Sequence, residues 1–293
     1  KKVILKNLKI KNKHLSQNWK VNILKEIIKK KISNNSIINK ASINSKKINK
    51  NDIFFAIKGK KKNGNLFIKE SLRKGASFAV TNKIDKTTNL QKQILVKDSL
   101  KTLTSIAKNI RDISPANFIA ITGSCGKTSL KELLGHVLAQ ISKVSYSPSS
   151  YNNKYGVPLS LFNIKQNDDF GVFEVGMDQS GEIDFLSKII MPDAAVITNI
   201  SYAHAKNFKN LDEIAKAKSE IISNINTNGS LVLNADDSYY QKHKKIALNK
   251  KIKVFSFSLN KKNTNVYIEK IIKLKNKFKI SININKEREF FLI

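Results

Sequence analysis

Cysteine occurs once, at Cys125, so the chain cannot form an internal disulfide, and a reducing cytoplasm is the expected compartment. Arginine is scarce: Arg73, Arg111 and Arg288 are the only ones, although the net charge is +32. The positive charge is therefore nearly all lysine, scattered among isoleucine and asparagine along the chain, as AT-rich coding would leave it. Proteins that read nucleic-acid sequence favour the planar fork of arginine. The lysines are read as solvated surface, and no nucleic-acid partner is expected. Long apolar runs are missing too. Residues 118–121 and 194–197 fall far short of the about 20 apolar residues that cross a bilayer, so no membrane association is expected. The lysine-rich start is not followed by the apolar stretch and small-residue cleavage site of a signal peptide.

What is present suits a folded cytoplasmic chain. The apolar fraction of 41% can fill ordinary cores, and 293 residues suggest two of them. Residues 1 to about 35 are helix-prone. Short strands are expected at 54–57, 77–81 and 94–96, with helices at 67–74 and 100–110. Ser114-Pro115, within 112–117, marks a linker. These readings give a small N-terminal α/β domain over 1–114. From 115 to 293, strands at 118–122, 171–175, 194–198, 230–233 and 253–257 alternate with helices at 130–141, 182–189 and 211–222. That alternation predicts a mostly parallel sheet flanked by helices, of the phosphate-loop type. Residues 265–293 alternate polar and apolar, as a hairpin-like addition would.

Chemistry concentrates after the first strand of the second domain. Thr122-Gly123-Ser124-Cys125-Gly126-Lys127-Thr128-Ser129 links an apolar strand to a helix start. Glycines there let backbone N–H groups approach phosphate oxygens, and the positive end of the following helix faces the anion. Lys127 reaches the β/γ-phosphates of ATP, and the Thr128 hydroxyl can ligate Mg²⁺. Ile121 stands where the longer loop pattern has its first glycine, so this is the shorter G-x-x-G-K-T form.

Three further residues are candidates. Glu174 lies inside an apolar strand, where a carboxylate needs a metal or a buried ion pair. It sits near the strand's carboxyl end, where open α/β sheets bind ligands. His204 follows another strand, in a loop, and can be structural or functional. Lys218 falls on the apolar stripe of Leu211, Ile214, Ala215, Ile221 and Ile222, while Lys216 points elsewhere. An inward lysine has a depressed pKa and a reactive amine, unless its stem is buried and its ammonium snorkels to water. Asp236 and Asp237 close a strand and read as turn and cap residues rather than as ribose contacts.

Taken together these motifs resemble the Mur ligase family, which makes peptidoglycan precursors by ATP-driven amide formation. Asn152-Asn153-Lys154-Tyr155-Gly156-Val157-Pro158-Leu159 and Glu174-Val175-Gly176-Met177-Asp178-Gln179-Ser180-Gly181-Glu182-Ile183 are similar to segments of the branch that adds D-alanyl-D-alanine. Ala203-His204 and the stretch around Lys218 resemble later motifs. Ser42-Ile43-Asn44-Ser45-Lys46-Lys47 stands where the family has an element near the UDP part of its substrate. Asn44 replaces an acid there and Lys46 an arginine, which alters that contact.

The resemblance implies roles. Thr122 to Ser129 and Asn153 would bind the nucleotide; Asn44, Ser45 and Lys46 would bind the UDP substrate. Thr128 and Glu174 would serve one Mg²⁺, His204 and a carbamylated Lys218 a second. Lys127, Glu174, His204 and Lys218 would be catalytic. The expected activity joins D-alanyl-D-alanine to UDP-N-acetylmuramoyl-tripeptide through an acyl phosphate, in a monomeric cytoplasmic ligase. Lys1 in place of Met, and the abrupt stop after 290–293, read as a fragment lacking the family's third, Rossmann-like domain. The alternative is a nucleotide-binding or regulatory module that does not ligate.

Overall fold

The structure is a computed structural model that describes residues 19–28, 32–33, 35–59, 62–202 and 207–293. The chain divides into two compact units. Unit one is Lys1–Ala116 with Ile141–Gly171, and unit two is Asn117–Gln140 with Val172–Ile293. The return of 141–171 to unit one departs from the expected division at 114/115. Its helix, Gly156–Phe162, is buried at every position. A helix apolar all round shows no amphipathic period, and Pro158 further masks it in the sequence.

Unit one opens with α1 (Trp19–Ile28), β1 (Ala41–Ser42), β2 (Ile53–Phe55), α2 (Ile68–Arg73), β3 (Phe78–Thr81), β4 (Gln93–Leu95) and α3 (Ser99–Ile113). The four strands stand in that order and pair in parallel. Phe54, Ala56, Ile68, Ala76 and Ala79 form its core with Phe67 and Leu72. Asp98 starts α3 by accepting the Leu100 and Lys101 amides at 2.8 and 2.9 Å. Leu103, Ile106, Ala107 and Ile110 give α3 its buried stripe. The helix runs to Ile113, into the expected linker, and ends at Ser114, whose extended ψ of 132° is what a following proline imposes.

In unit two the strands are β5 (Asn117–Thr122), β7 (Phe170–Glu174), which begins two residues earlier in unit one, β8 (Ala194–Ile197), β9 (Ser230–Asn234), β10 (Lys253–Ser258), β11 (Val266–Lys273), β12 (Phe278–Ile284) and β13 (Glu287–Leu292). β6 (Val144–Tyr146) and α5, the buried helix named above, belong to the segment that returns to unit one. The order β13-β12-β11-β10-β9-β8-β5-β7 puts β5 in the interior. β5, β8, β9, β10 and β11 pair in parallel. The last two strands turn antiparallel. Asn285 and Lys286, both at positive φ, make the two-residue turn between them. The helices are α4 (Lys127–Ala139), α6 (Glu182–Ile190), α7 (Leu211–Ser219) and α8 (Tyr240–Asn249). α4 and α6 pack on β5, and α8 packs on β9 and β10. Of these helices α8 was unforeseen, because its sequence is mostly polar and buries only His243 and Ala247.

The expected mixed α/β fold with a mostly parallel sheet is therefore present. No helix among the described residues is long and apolar enough to cross a membrane.

Candidate nucleotide site

β5 ends at Thr122, and the chain turns through Gly123 and Gly126 into α4. Both glycines have positive φ, 143° and 80°. At Gly123 a Cβ would stand 1.9 Å from the Thr198 hydroxyl oxygen, so the position excludes any side chain. Gly126 is the N-cap of α4 and supplies no side-chain bond to it. The first amides of that 13-residue helix thus lack an intrahelical partner, which makes the loop receptive to an anion.

Lys127 curls over the loop, its Nζ donating to the carbonyls of Gly123 at 2.8 Å and Ser124 at 3.2 Å. Thr128 donates its hydroxyl to Glu174 Oε2 at 2.7 Å. Glu174 ends β7 and is 1% exposed. Hydroxyl and carboxylate are both hard oxygen donors, the kind that Mg²⁺ prefers.

Lys218 comes from α7, which Asn210 caps by accepting the Glu213 amide at 3.0 Å. It is 2% exposed, beside the buried Ile214, Ala215 and Ala217, so its amine is enclosed rather than snorkelling. Burial, followed by the positive charge of Lys127, lowers its pKa from 10.5 to about 8; Cys125 acts weakly the other way. The structure thus brings Lys127, Thr128 and Glu174 to one end of the unit-two sheet, with the Lys218 amine close enough to Lys127 to feel its charge. His204 lies outside the described residues. Among the described residues no three His, Cys, Asp or Glu side chains gather as a metal cluster.

The remaining expected site residues have local structural partners. Ser45 is buried and donates its hydroxyl to Glu70 at 2.8 Å, while Asn44 caps a short 3-10 turn through the Lys46 amide. Lys46 is exposed. Asn153 accepts the Tyr155 and Gly156 amides, both at 3.0 Å, and so opens α5. Glu182 accepts the Asp178 amide at 2.6 Å, and Glu220 takes the Gly181 amide at 2.8 Å at the start of α6.

Thr198 and Asn199, just past β8, were missed. Thr198 donates its hydroxyl to the Cys125 carbonyl at 2.6 Å, and Asn199 bonds both the N–H and the C=O of Cys125. A polar pair directly after an apolar parallel strand was the available signal, since strand ends of this kind face ligands. Asp236 and Asp237 hold turns, as read. Asp236 accepts the Ser258 hydroxyl, and Asp237 accepts the amides of Tyr239 and of Ile200, the latter at 2.7 Å.

The Mur ligase middle domain profile matches residues 121–292, which begins at the last core residues of β5 and takes in every residue of this site. The chain belongs to the Mur ligase family. Similar curated proteins are UDP-N-acetylmuramoyl-tripeptide--D-alanyl-D-alanine ligases. One from Buchnera aphidicola subsp. Baizongia pistaciae is 36% identical over 75% of this chain and 47% of its own length. The one from Escherichia coli is 32% identical over 74% of this chain and 48% of its own. The chain therefore spans about half the length of the curated relatives it matches. Among solved structures, MurF from Acinetobacter baumannii superposes with a TM-score of 0.80 at 26% identity, over 93% of this chain and 60% of that one. MurF from Thermotoga maritima, solved in complex with ADP, gives 0.75 at 27% identity, over 89% of this chain and 59% of that one.

Proposed function

We propose that this Mur ligase chain carries the ATP half of a site that joins D-alanyl-D-alanine to UDP-N-acetylmuramoyl-tripeptide. The observation that carries the proposal is the set Lys127, Thr128, Glu174 and Lys218 around a glycine loop whose helix amides are unpaired within the helix. The names of the relatives support the choice of substrates.

In that reading the loop amides from Gly126 to Thr128 hold the phosphates, and Lys127 leaves its two carbonyls to neutralise the β/γ-phosphate oxygens. Ser124, Cys125 and Ser129 shape the loop around them. Thr128 and Glu174 would hold one Mg²⁺; His204 and Lys218 would hold a second, Lys218 through a carbamate. Mg²⁺ supplies charge neutralisation on the phosphates. The donors fit this role: two hard oxygens already meet, and an amine with a pKa of about 8 is partly neutral at physiological pH, as CO₂ capture requires.

A carboxylate oxygen of the tripeptide attacks the γ-phosphorus while the bond to the β-bridging oxygen breaks, giving an acyl phosphate and ADP. The dipeptide amine then attacks the acyl carbon, a proton leaves the nitrogen, and phosphate departs. The protein's share is alignment and charge stabilisation. Unit one, with Asn44, Ser45 and Lys46, is the UDP-substrate domain of this proposal. A monomeric cytoplasmic protein is part of the proposal.

A crystal structure with Mg²⁺ and a non-hydrolysable ATP analogue tests it. Phosphates should lie on the Gly126, Lys127 and Thr128 amides, with metal on Thr128 and Glu174. An analogue bound anywhere else overturns the reading.

A further inference from the structure

We infer that Thr198 and Asn199 are positioning residues, which choose the loop amides that face the phosphates. The inference rests on the phosphate-loop reading above and concerns how the loop holds its shape. Asn199 uses three groups on two adjacent loop residues. Its backbone carbonyl accepts the Ser124 amide at 2.9 Å. Its side-chain oxygen accepts the Cys125 amide at 3.1 Å, and its side-chain nitrogen donates to the Cys125 carbonyl at 3.2 Å. Thr198 adds its hydroxyl to that same carbonyl at 2.6 Å.

Two consequences follow. The amides of Ser124 and Cys125 are already engaged, so neither is available to an anion. The carbonyl of Cys125 is pinned toward the segment that leaves β8. No peptide bond here is cis, and in a trans planar peptide the C=O and the next N–H point in opposite directions. The N–H of Gly126 is thereby turned away from Thr198 and Asn199. It joins the N–H groups of Lys127 and Thr128, which as the first residues of α4 have no intrahelical acceptor. These three adjacent amides are the ones left for phosphate oxygens.

The loop needs such a clamp because it is intrinsically loose. The 125–126 peptide borders a glycine at φ 80°, where rotation meets little steric resistance. The clamp is itself anchored. Asp237, past the end of β9, accepts the Ile200 amide at 2.7 Å. Ser124 donates its hydroxyl to the Ser201 carbonyl at 2.9 Å and accepts the Ser201 amide at 2.8 Å. Through these bonds the ends of β8 and β9 set the orientation of one peptide in the phosphate loop.

The test compares Thr198→Val, which keeps the shape and removes the donor, with Thr198→Ser, which keeps the donor. Mg-ADP affinity is measured by calorimetry on each full chain, alongside the thermal midpoint. Thr198→Val should weaken Mg-ADP by about tenfold with little change in midpoint, and Thr198→Ser should stay within about twofold of wild type. Amide exchange adds a direct readout: without nucleotide, the Cys125 N–H should be protected in wild type and faster in Asn199→Ala. Thr198→Val binding as tightly as wild type, Thr198→Ser binding as weakly as Thr198→Val, or an unprotected Cys125 amide overturns the inference. Lys127→Ala serves as the control: if it binds Mg-ADP like wild type, the phosphate-loop reading itself has failed, a different result from failure of the clamp.

Discussion

Replacing Lys218 by methionine should stabilise the protein at neutral pH, and the gain should vanish in alkali. The side chain is 2% exposed and its pKa falls from 10.5 to about 8, chiefly through burial. The folded value lies below the unfolded one, so the unfolded state holds the proton more tightly. Below pH 8 both states are protonated and the folded state bears the full cost of the buried charge. Between about pH 8 and 10.5 the folded state alone loses its proton, and stability rises with pH. Above 10.5 the amine is neutral in both states and the cost is gone. The gap corresponds to an upper bound of about 3.5 kcal/mol at about 1.4 kcal/mol per pH unit. Lys218→Met, close in volume and uncharged, should therefore exceed wild type by about 2–3 kcal/mol at pH 7 and by far less at pH 10. Urea unfolding of both proteins at the two pH values, in CO₂-free buffer so that no carbamate forms, reads the difference. Lys20, whose pKa is also lowered to about 8, titrates in both proteins and cancels. An advantage equal at pH 7 and pH 10, or none at pH 7, would refute the reasoning.

Gly123→Ala combines a Cβ 1.9 Å from the Thr198 oxygen with a φ of 143°, and should cost about 2–4 kcal/mol in urea unfolding while abolishing Mg-ATP binding. A stability loss under about 0.5 kcal/mol would contradict the geometry. His243 is 2% exposed, its Nε2 3.1 Å from the Ala215 carbonyl, and burial lowers its pKa. Its neutral form supports the fold above the unfolded pKa, and that support is lost as pH falls through the folded value. Wild type should then lose stability between pH 7 and 5 faster than His243→Gln, and parallel pH profiles would show otherwise.

Much of this site could be read in the sequence because it is built from short local patterns. The glycine loop needs only a strand, a turn and a helix start, and each has its own signal. Lys218 stood out because a lysine on an apolar stripe conflicts with its neighbours, and the structure does bury it. Thr198, Asn199 and the long-range bond of Asp237 were harder to read. That work is done on the backbone of residues 37 to 74 positions away, and pairings of that kind leave no periodicity. In the fold, the strands were legible where β-branched runs met turns. α5 was not, since a helix buried on every side carries no amphipathic signal, and α8 was hidden for the opposite reason, being mostly polar.

The central claim is that the loop from Gly123 to Thr128 binds the phosphates of ATP through Lys127 and the first amides of α4. Calorimetric titration of Mg-ATP into the wild-type chain and into Lys127→Ala tests it most directly. The account predicts saturable binding by wild type and a loss of at least about 100-fold in the variant, since a charge-assisted contact and its electrostatic field are removed together. Equal affinity in the two proteins would contradict it.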